Sequence, residues 1–197
     1  MTPRILVFAG SIRSGSLNAR LAAVMAKELA LLGADVSLVS LADYPMPLYD
    51  GDLEEERGLP ENAEKLARQI TGHDAVFIAS PEHNAGIPAL LKNALDWTSR
   101  IGPPYAPRGS IFARRAFAIG AASPGMAGGQ RGLIALRQVL ELGLGAIVLP
   151  EQVLLERATK GFDEAGELLD LRHQGLTRLV ARRLVEFISG EGLAKRS

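Results

Sequence analysis

Short, uninterrupted apolar runs alternate with longer stretches of helical spacing along this chain, and that alternation constrains its fold more than any other feature. Ile5-Leu6-Val7-Phe8-Ala9 is apolar at every position, as a strand covered on both faces must be. Asp74 to Ser80 and Ala116 to Ala122 read the same way, and Ala34 to Val39 reads as another strand. Ala146 to Leu149, continued beyond Pro150 by Val153 to Leu155, supplies the last. Leu17, Leu21, Val24, Met25 and Leu32 mark a helix that starts near Ser16 and ends at Gly33. Further helices are expected over Glu61 to Thr71, over Ile87 to Arg100 with Pro88 in its first turn, and over Arg131 to Leu142. A closing helix is expected from about Asp163 to Ile188, with a break near Gly166 or Gly175. Leu41 to Pro60 and Gly102 to Arg114 read as loops, with Glu54-Glu55-Glu56 solvated. Repeated β-α units imply an α/β fold, a parallel sheet with helices on both faces and right-handed crossovers.

The 197 residues suit one domain, read as 1–190 with a tail at 191–197. Lys plus Arg and Asp plus Glu are 22 each, so the formal charge is zero and a general attraction to nucleic acid or anionic membrane is not expected. With no cysteine, disulfides, thiolate metal sites and a cysteine nucleophile are excluded. No apolar stretch approaches the ~20 residues that span a bilayer, and the N-terminus lacks the pattern of a secretory signal. A cytoplasmic protein is the expectation.

In such sheets ligands bind beyond the C-terminal ends of the strands, which directs attention to three loops. The first, Gly10-Ser11-Ile12-Arg13-Ser14-Gly15-Ser16-Leu17-Asn18, joins a strand to a helix N-terminus, whose free N–H groups attract anions. Ser11, Ser16 and Asn18 add neutral donors and Arg13 a bidentate fork, so a terminal phosphate is the natural ligand. The loop is neither a Walker A sequence nor G-x-G-x-x-G, which points to a mononucleotide. The second, Ser80-Pro81-Glu82-His83-Asn84-Ala85-Gly86-Ile87-Pro88, offers backbone N–H groups and Asn84 to a planar ring, with Gly86 permitting a sharp turn. Glu82 has no partner carboxylate and reads as a structural hydrogen-bonding residue rather than a general acid. The third, Gly120-Ala121-Ala122-Ser123-Pro124-Gly125, mimics a hydrolase nucleophile elbow, but Pro124 lacks the N–H that an oxyanion hole needs there. His73 and His173 lack ligand spacing, and no metal site is expected.

Taken together these segments resemble the NADPH-dependent FMN reductase family, the flavodoxin-like group that includes chromate, quinone and azo-dye reductases. The first loop looks like the family's G-S-x-R-x-x-S-x-N motif. Ser80-Pro81-Glu82-His83-Asn84 and Leu91-Lys92-Asn93-Ala94-Leu95-Asp96-Trp97 look like its S-P-E-Y-N segment and following L-K-N-A-[IL]-D-W. Ser123-Pro124-Gly125, Gly128-Gly129 and Leu136-Arg137 match its third loop and next helix. The resemblance implies a flavodoxin-like three-layer sandwich with a five-stranded parallel sheet in the order 2-1-3-4-5. It also implies FMN, with the phosphate on Ser11, Arg13, Ser16, Leu17 and Asn18 and the ring against Pro81, Glu82, His83, Asn84, Gly86, Ser123, Pro124 and Gly125. The family usually has Tyr where this chain has His83. A homodimer or homotetramer is implied, with the Asp96-Trp97 region near subunit contacts.

The expected activity is transfer from NADPH or NADH, through bound FMN, to a small acceptor such as a quinone, a flavin, an azo compound or chromate. No catalytic side chain is expected, because the cofactor supplies the chemistry. The alternative is a flavodoxin-like electron carrier without NAD(P)H activity, although such carriers tend to be strongly acidic and this chain is neutral.

Overall fold

The computed structural model describes residues 2–102, 111–113 and 115–190. Most of the expected loop after Gly102 and the tail at 191–197 therefore lie outside the described residues. Five strands, β1 (Arg4–Ala9), β2 (Asp35–Ser40), β3 (Ala75–Ala79), β4 (Ala116–Ala122) and β5 (Ile147–Leu155), pair in parallel in the order β2-β1-β3-β4-β5. The helices are α1 (Leu17–Leu31), α2 (Gly51–Arg57), α3 (Glu61–Thr71), α4 (Ala89–Ser99), α5 (Gln130–Gln138) and α6 (Leu171–Ile188). This is the strand order that the resemblance implies.

Alternation along each strand divides the core in two. Leu6, Phe8, Val76, Ile78, Phe117 and Ile119 face α3, α4 and α5. Ile5, Val7, Phe77, Ala118 and Val153 face α1 and α6, where Leu21, Met25, Leu29, Val180 and Leu184 are buried. Covering both faces satisfies the apolar runs of β1, β3 and β4, in which every residue from Ile5 to Ala9, Ala75 to Ala79 and Ala116 to Ala122 is buried. Trp97 is fully buried too; its Nε1 donates to Pro47 O at 2.8 Å and its ring meets Tyr49 edge-on. Of the Asp96-Trp97 pair, Asp96 alone reaches the surface, paired with Lys92 at 2.7 Å.

Several elements differ from their sequence-based expectation. The stretch expected as a loop before Pro60 contains α2, capped by the Asp50 side chain, which accepts from Asp52 N at 2.9 Å. Glu54 is not solvated: it accepts from Arg100 Nε at 2.9 Å and from Tyr49 Oη at 3.0 Å. Its main partner stands 46 residues along the chain, beyond what local composition reveals. Pro88 sits at the N-cap of α4 rather than inside its first turn. α5 ends in a π-type turn, Val139–Gly143. β5 runs unbroken through Pro150, because pairing passes from Phe117↔Val148 to Ile119↔Gln152, a four-residue step against a two-residue one. The surplus bulges at an edge strand, where a missing N–H is tolerated. α6 begins only at Leu171, with Asp170 as its cap, and continues through Gly175 without a break. Leu32, expected on the buried face of α1, is 42 % exposed because it lies beyond the last helical turn.

Candidate functional site

Each of the three loops leaves the sheet at the same level, because the parallel ladder continues one residue past each strand. Gly10 N donates to Ala79 O at 2.8 Å, Ser80 N to Gly120 O at 2.8 Å, and Ser123 N to Leu155 O at 3.0 Å. The loops thus stand side by side at the C-terminal end of the sheet.

The first loop presents a donor set. Ser16 caps α1, its Oγ accepting from Ala19 N at 3.3 Å, which leaves its hydroxyl hydrogen free to donate. Leu17 and Asn18 open the helix, so geometry denies their N–H groups an intrahelical acceptor. Ser11 is half-buried and takes Arg13 N at 3.4 Å. The Arg13 side chain is exposed, and among the described residues it has neither hydrogen bond nor ion pair. Two serine hydroxyls, a helix N-terminus and an uncommitted guanidinium are the chemistry of a phosphate site.

Asn18 does a different job in this loop. It is buried, its Nδ2 donating to Ala122 O at 3.0 Å and its Oδ1 accepting from Ala122 N at 2.9 Å. That exchange ties the first turn of α1 to the end of β4, so the first and third loops are held at a set separation.

The second loop is a tight hairpin turn. His83 and Gly86 exchange backbone hydrogen bonds at 3.0 and 2.9 Å, with Asn84 at φ 50° and Ala85 at φ 64°. Two positive φ values in succession define a type I′ turn. The sequence suggested Gly86 as the residue of unusual conformation; the left-handed positions fall on Asn84 and Ala85 instead. Asn tolerates that region, and Ala does so at a cost of about 1–2 kcal/mol. Ala85→Gly is therefore expected to stabilise the protein by about 0.5–1 kcal/mol, the relief of strain less the added chain entropy. Urea melts of the two proteins decide it, and a destabilised variant would show that Ala85 is not strained there. His83, Asn84 and Ala85 are all exposed, whereas Pro81 and Gly86 are half-buried beneath them.

Glu82 braces this loop from behind. Its Oε1 lies 2.5 Å from Arg131 Nη2, and its Oε2 accepts from Gly132 N at 3.1 Å. A Cβ on Gly132 would stand 3.0 Å from Glu82 Cα, so the close approach favours glycine. Burial acts to raise the Glu82 pKa, but the Gly132 N–H and Arg131 outweigh it and hold the carboxyl below its ordinary value. A lowered pKa means the brace is complete above the ordinary carboxylate range, about 4.3, and is lost as pH falls through the folded value. Glu82→Gln is accordingly expected to be less stable than the wild type at pH 7 and to approach it below about pH 4. A stability gap that stays constant across that range would exclude an ionised brace.

In the third loop, Ser123 Oγ accepts from Gly125 N at 3.2 Å, and Pro124 and Gly125 are exposed. Gly129 adopts φ 87°, and a Cβ there would lie 2.7 Å from Ala121 Cβ. The loop is stitched to the segment after β5 by Arg157 N to Gly125 O at 3.1 Å and Ala158 N to Ser123 O at 2.9 Å. Arg131, Gly132, Arg157 and Ala158 carry no sequence signal for these roles, since their partners are distant in the chain. His73 is a structural residue, its ring nitrogens 2.6 Å from Gln69 O and 2.8 Å from Ser37 Oγ.

Cavity size does not select this site. A cavity of about 520 Å³ lies at the opposite end of the sheet, lined by Thr2, Asp74, Arg115 and Phe187, and none of the three loops reaches it. A smaller one, about 300 Å³, opens beside the first loop between Ser11, Ala19, Leu38 and Asp43. Among the described residues, no three or more His, Asp or Glu side chains are grouped to hold a metal, and no helix is long and apolar enough to cross a membrane.

Residues 3–160 match the model of a family described as NADPH-dependent FMN reductase. The quinone reductase of Escherichia coli (strain K12) is 38% identical over 170 residues, 85% of each chain. An NAD(P)H-dependent FMN reductase of Pseudomonas aeruginosa is 37% identical over 169 residues, again 85% of each. Among solved structures, a flavoenzyme NAD(P)H:(acceptor) oxidoreductase from Paracoccus denitrificans aligns with a TM-score of 0.78 at 24% identity, covering 96% of this chain and 99% of that one, a likeness of fold.

Proposed function

The chain belongs to the NADPH-dependent FMN reductase family, and from that premise we propose that its three loops hold FMN and that its acceptor is a quinone. The protein is an NAD(P)H-dependent, FMN-containing oxidoreductase of the flavodoxin-like fold. The observation that carries the site assignment is the uncommitted donor set of the first loop. A phosphomonoester dianion needs several convergent donors, and the N–H groups of Leu17 and Asn18, the hydroxyls of Ser11 and Ser16, and Arg13 supply them. The residues present therefore fit FMN.

When bound, FMN supplies two-electron transfer from NAD(P)H to an acceptor. The side chains of this protein bind and orient. Arg13 neutralises the phosphate. Pro81, Glu82, His83, Asn84 and Gly86 form the wall on one side of the ring, and Ser123, Pro124 and Gly125 form the floor beside it. Asn18 and Glu82 act through the backbone, by fixing the spacing of those loops. His83, Asn84, Pro124 and Gly125 leave one approach open to solvent. A planar quinone fits that approach, and relatives at 38% and 34% identity are quinone reductases. The reading extends to a homodimer or homotetramer in the cytoplasm, in keeping with a chain that has no cysteine to oxidise.

The test is anaerobic addition of NADPH or NADH to FMN-loaded protein, followed by a quinone, with free FMN as control. Rapid bleaching of the flavin absorbance that the quinone reverses is the expected result. Bound FMN that neither dinucleotide bleaches would turn the assignment to an electron carrier. Bleaching that a quinone fails to reverse would leave the reductase and remove the acceptor.

A further inference from the structure

Three non-glycine residues among the described ones have positive φ, and the third, Arg157 at φ 51°, lies outside the second loop. Its N–H is pinned to Gly125 O at 3.1 Å, so it stands directly behind the third loop. There it lines a cavity of about 400 Å³ together with Met126, Glu156, Lys160 and His173.

The polar groups of this cavity divide into committed and free. Glu156 is committed: one oxygen pairs with Arg172, and the other lies 3.0 Å from His173 Nε2. Asp170, also on the wall, caps α6 by accepting from Arg172 N at 2.8 Å and His173 N at 3.1 Å. Arg157 and Lys160 are exposed, and among the described residues neither has an ion pair or side-chain hydrogen bond. His173 is 6 % exposed, and its Nδ1 is buried without any partner. Burial holds that ring below its ordinary pKa against the pull of Asp170. The Glu156 carboxylate can only accept, so Nε2 carries the hydrogen of the neutral ring and Nδ1 presents a lone pair. The wall therefore offers two unpaired cations, while its carboxylates, Glu156 and Asp170, are already occupied by Arg172, His173 and the first turn of α6.

We propose that this cavity is the subsite for the 2′-phosphate of NADPH, held on Arg157 and Lys160. A second cavity of about 440 Å³ shares Met126 and Glu156 with the first and adds Ala127, Leu154 and Leu176, an apolar wall suited to the attached adenine. Met126 belongs to the third loop, so the subsite adjoins the loop assigned to the flavin ring, as one dinucleotide spanning both requires. NADH has a hydroxyl in place of the phosphate and leaves both cations unmatched. The subsite thus makes Arg157 and Lys160 the residues that set preference for NADPH over NADH, and it rests on the reading of the chain as an NAD(P)H-dependent reductase.

The experiment uses the oxidised, FMN-loaded protein. Calorimetric titration compares 2′-phospho-ADP-ribose with ADP-ribose, and steady-state kinetics compare NADPH with NADH. Lys160→Ala and Arg157→Asn are the variants, Asn being chosen because it tolerates positive φ. The wild type is expected to bind the phosphorylated probe at least about tenfold more tightly, as a charge-assisted hydrogen bond implies. Each variant is expected to raise KM for NADPH while the flavin spectrum and KM for NADH stay put. Equal affinity for the two probes, a preference that survives both substitutions, or parallel loss of NADPH and NADH would overturn the subsite and leave the reductase standing. A wild type that oxidises neither dinucleotide would remove the reductase reading, and the subsite with it.

Discussion

Asn18→Ala is expected to lower the stability of the cofactor-free protein by about 2–4 kcal/mol, because it strands two buried backbone groups at once. Ala122 is 3 % exposed, and its N–H and C=O both depend on the Asn18 amide. No water reaches them without opening the junction between α1 and β4. Asn18→Asp keeps an acceptor for Ala122 N–H but sets a carboxylate oxygen against Ala122 C=O, so it too is expected to destabilise. Urea unfolding of the apo protein gives the answer. If Asn18 served only a ligand, apo stability would be unchanged, and a loss below about 0.5 kcal/mol would exclude the tie between loops, since that is the least a hydrogen bond contributes.

Arg13→Ala is expected to act on binding and leave the fold alone. Its guanidinium holds nothing among the described residues, so the apo melt should match the wild type. FMN affinity should fall about tenfold to a hundredfold, from the loss of about 1.5–3 kcal/mol of hydrogen bonding to a charged group. Arg13→Lys keeps the charge without the planar fork and should fall between the two. Quenching of free FMN fluorescence on titration with protein measures each. An unchanged dissociation constant would take Arg13 out of the phosphate site. The paired outcome is informative: Asn18 should move stability first, Arg13 affinity alone.

The contrast between these residues also marks how much of the site was legible in the sequence. Both lie in one motif, five positions apart, yet their duties differ. Arg13 is exposed and uncommitted among the described residues, so the role proposed for it needs only local sequence, one side chain beside a helix N-terminus. Asn18 is tied to a partner 104 residues away, which no local pattern reveals. Glu82 reads from the absence of a partner carboxylate as structural, and the structure supplies the bracing partners, Arg131 and Gly132. Gly86 was the obvious turn residue, yet the turn places its positive φ on Asn84 and Ala85. Composition marks the presence of a turn more surely than its phase.

By itself the sequence determined the kind of sheet and the first cradle. A run such as Ile5 to Ala9 has no polar side to turn to water, so helices must cover both faces, and a Ser- and Gly-rich turn into a helix leaves donors facing outward. The order β2-β1-β3-β4-β5 is not in the periodicity; motif resemblance implied it and tertiary structure realised it. Only the fold decided which loops brace one another, that Glu54 would meet Arg100, and that His173 would pair with Glu156 on the wall of a cavity also lined by Arg157 and Lys160. Apolar periodicity and helix capping depend on neighbours a few residues away and are written in the chain. A tie between two strand ends depends on which strands lie side by side, and that exists only once the sheet has closed.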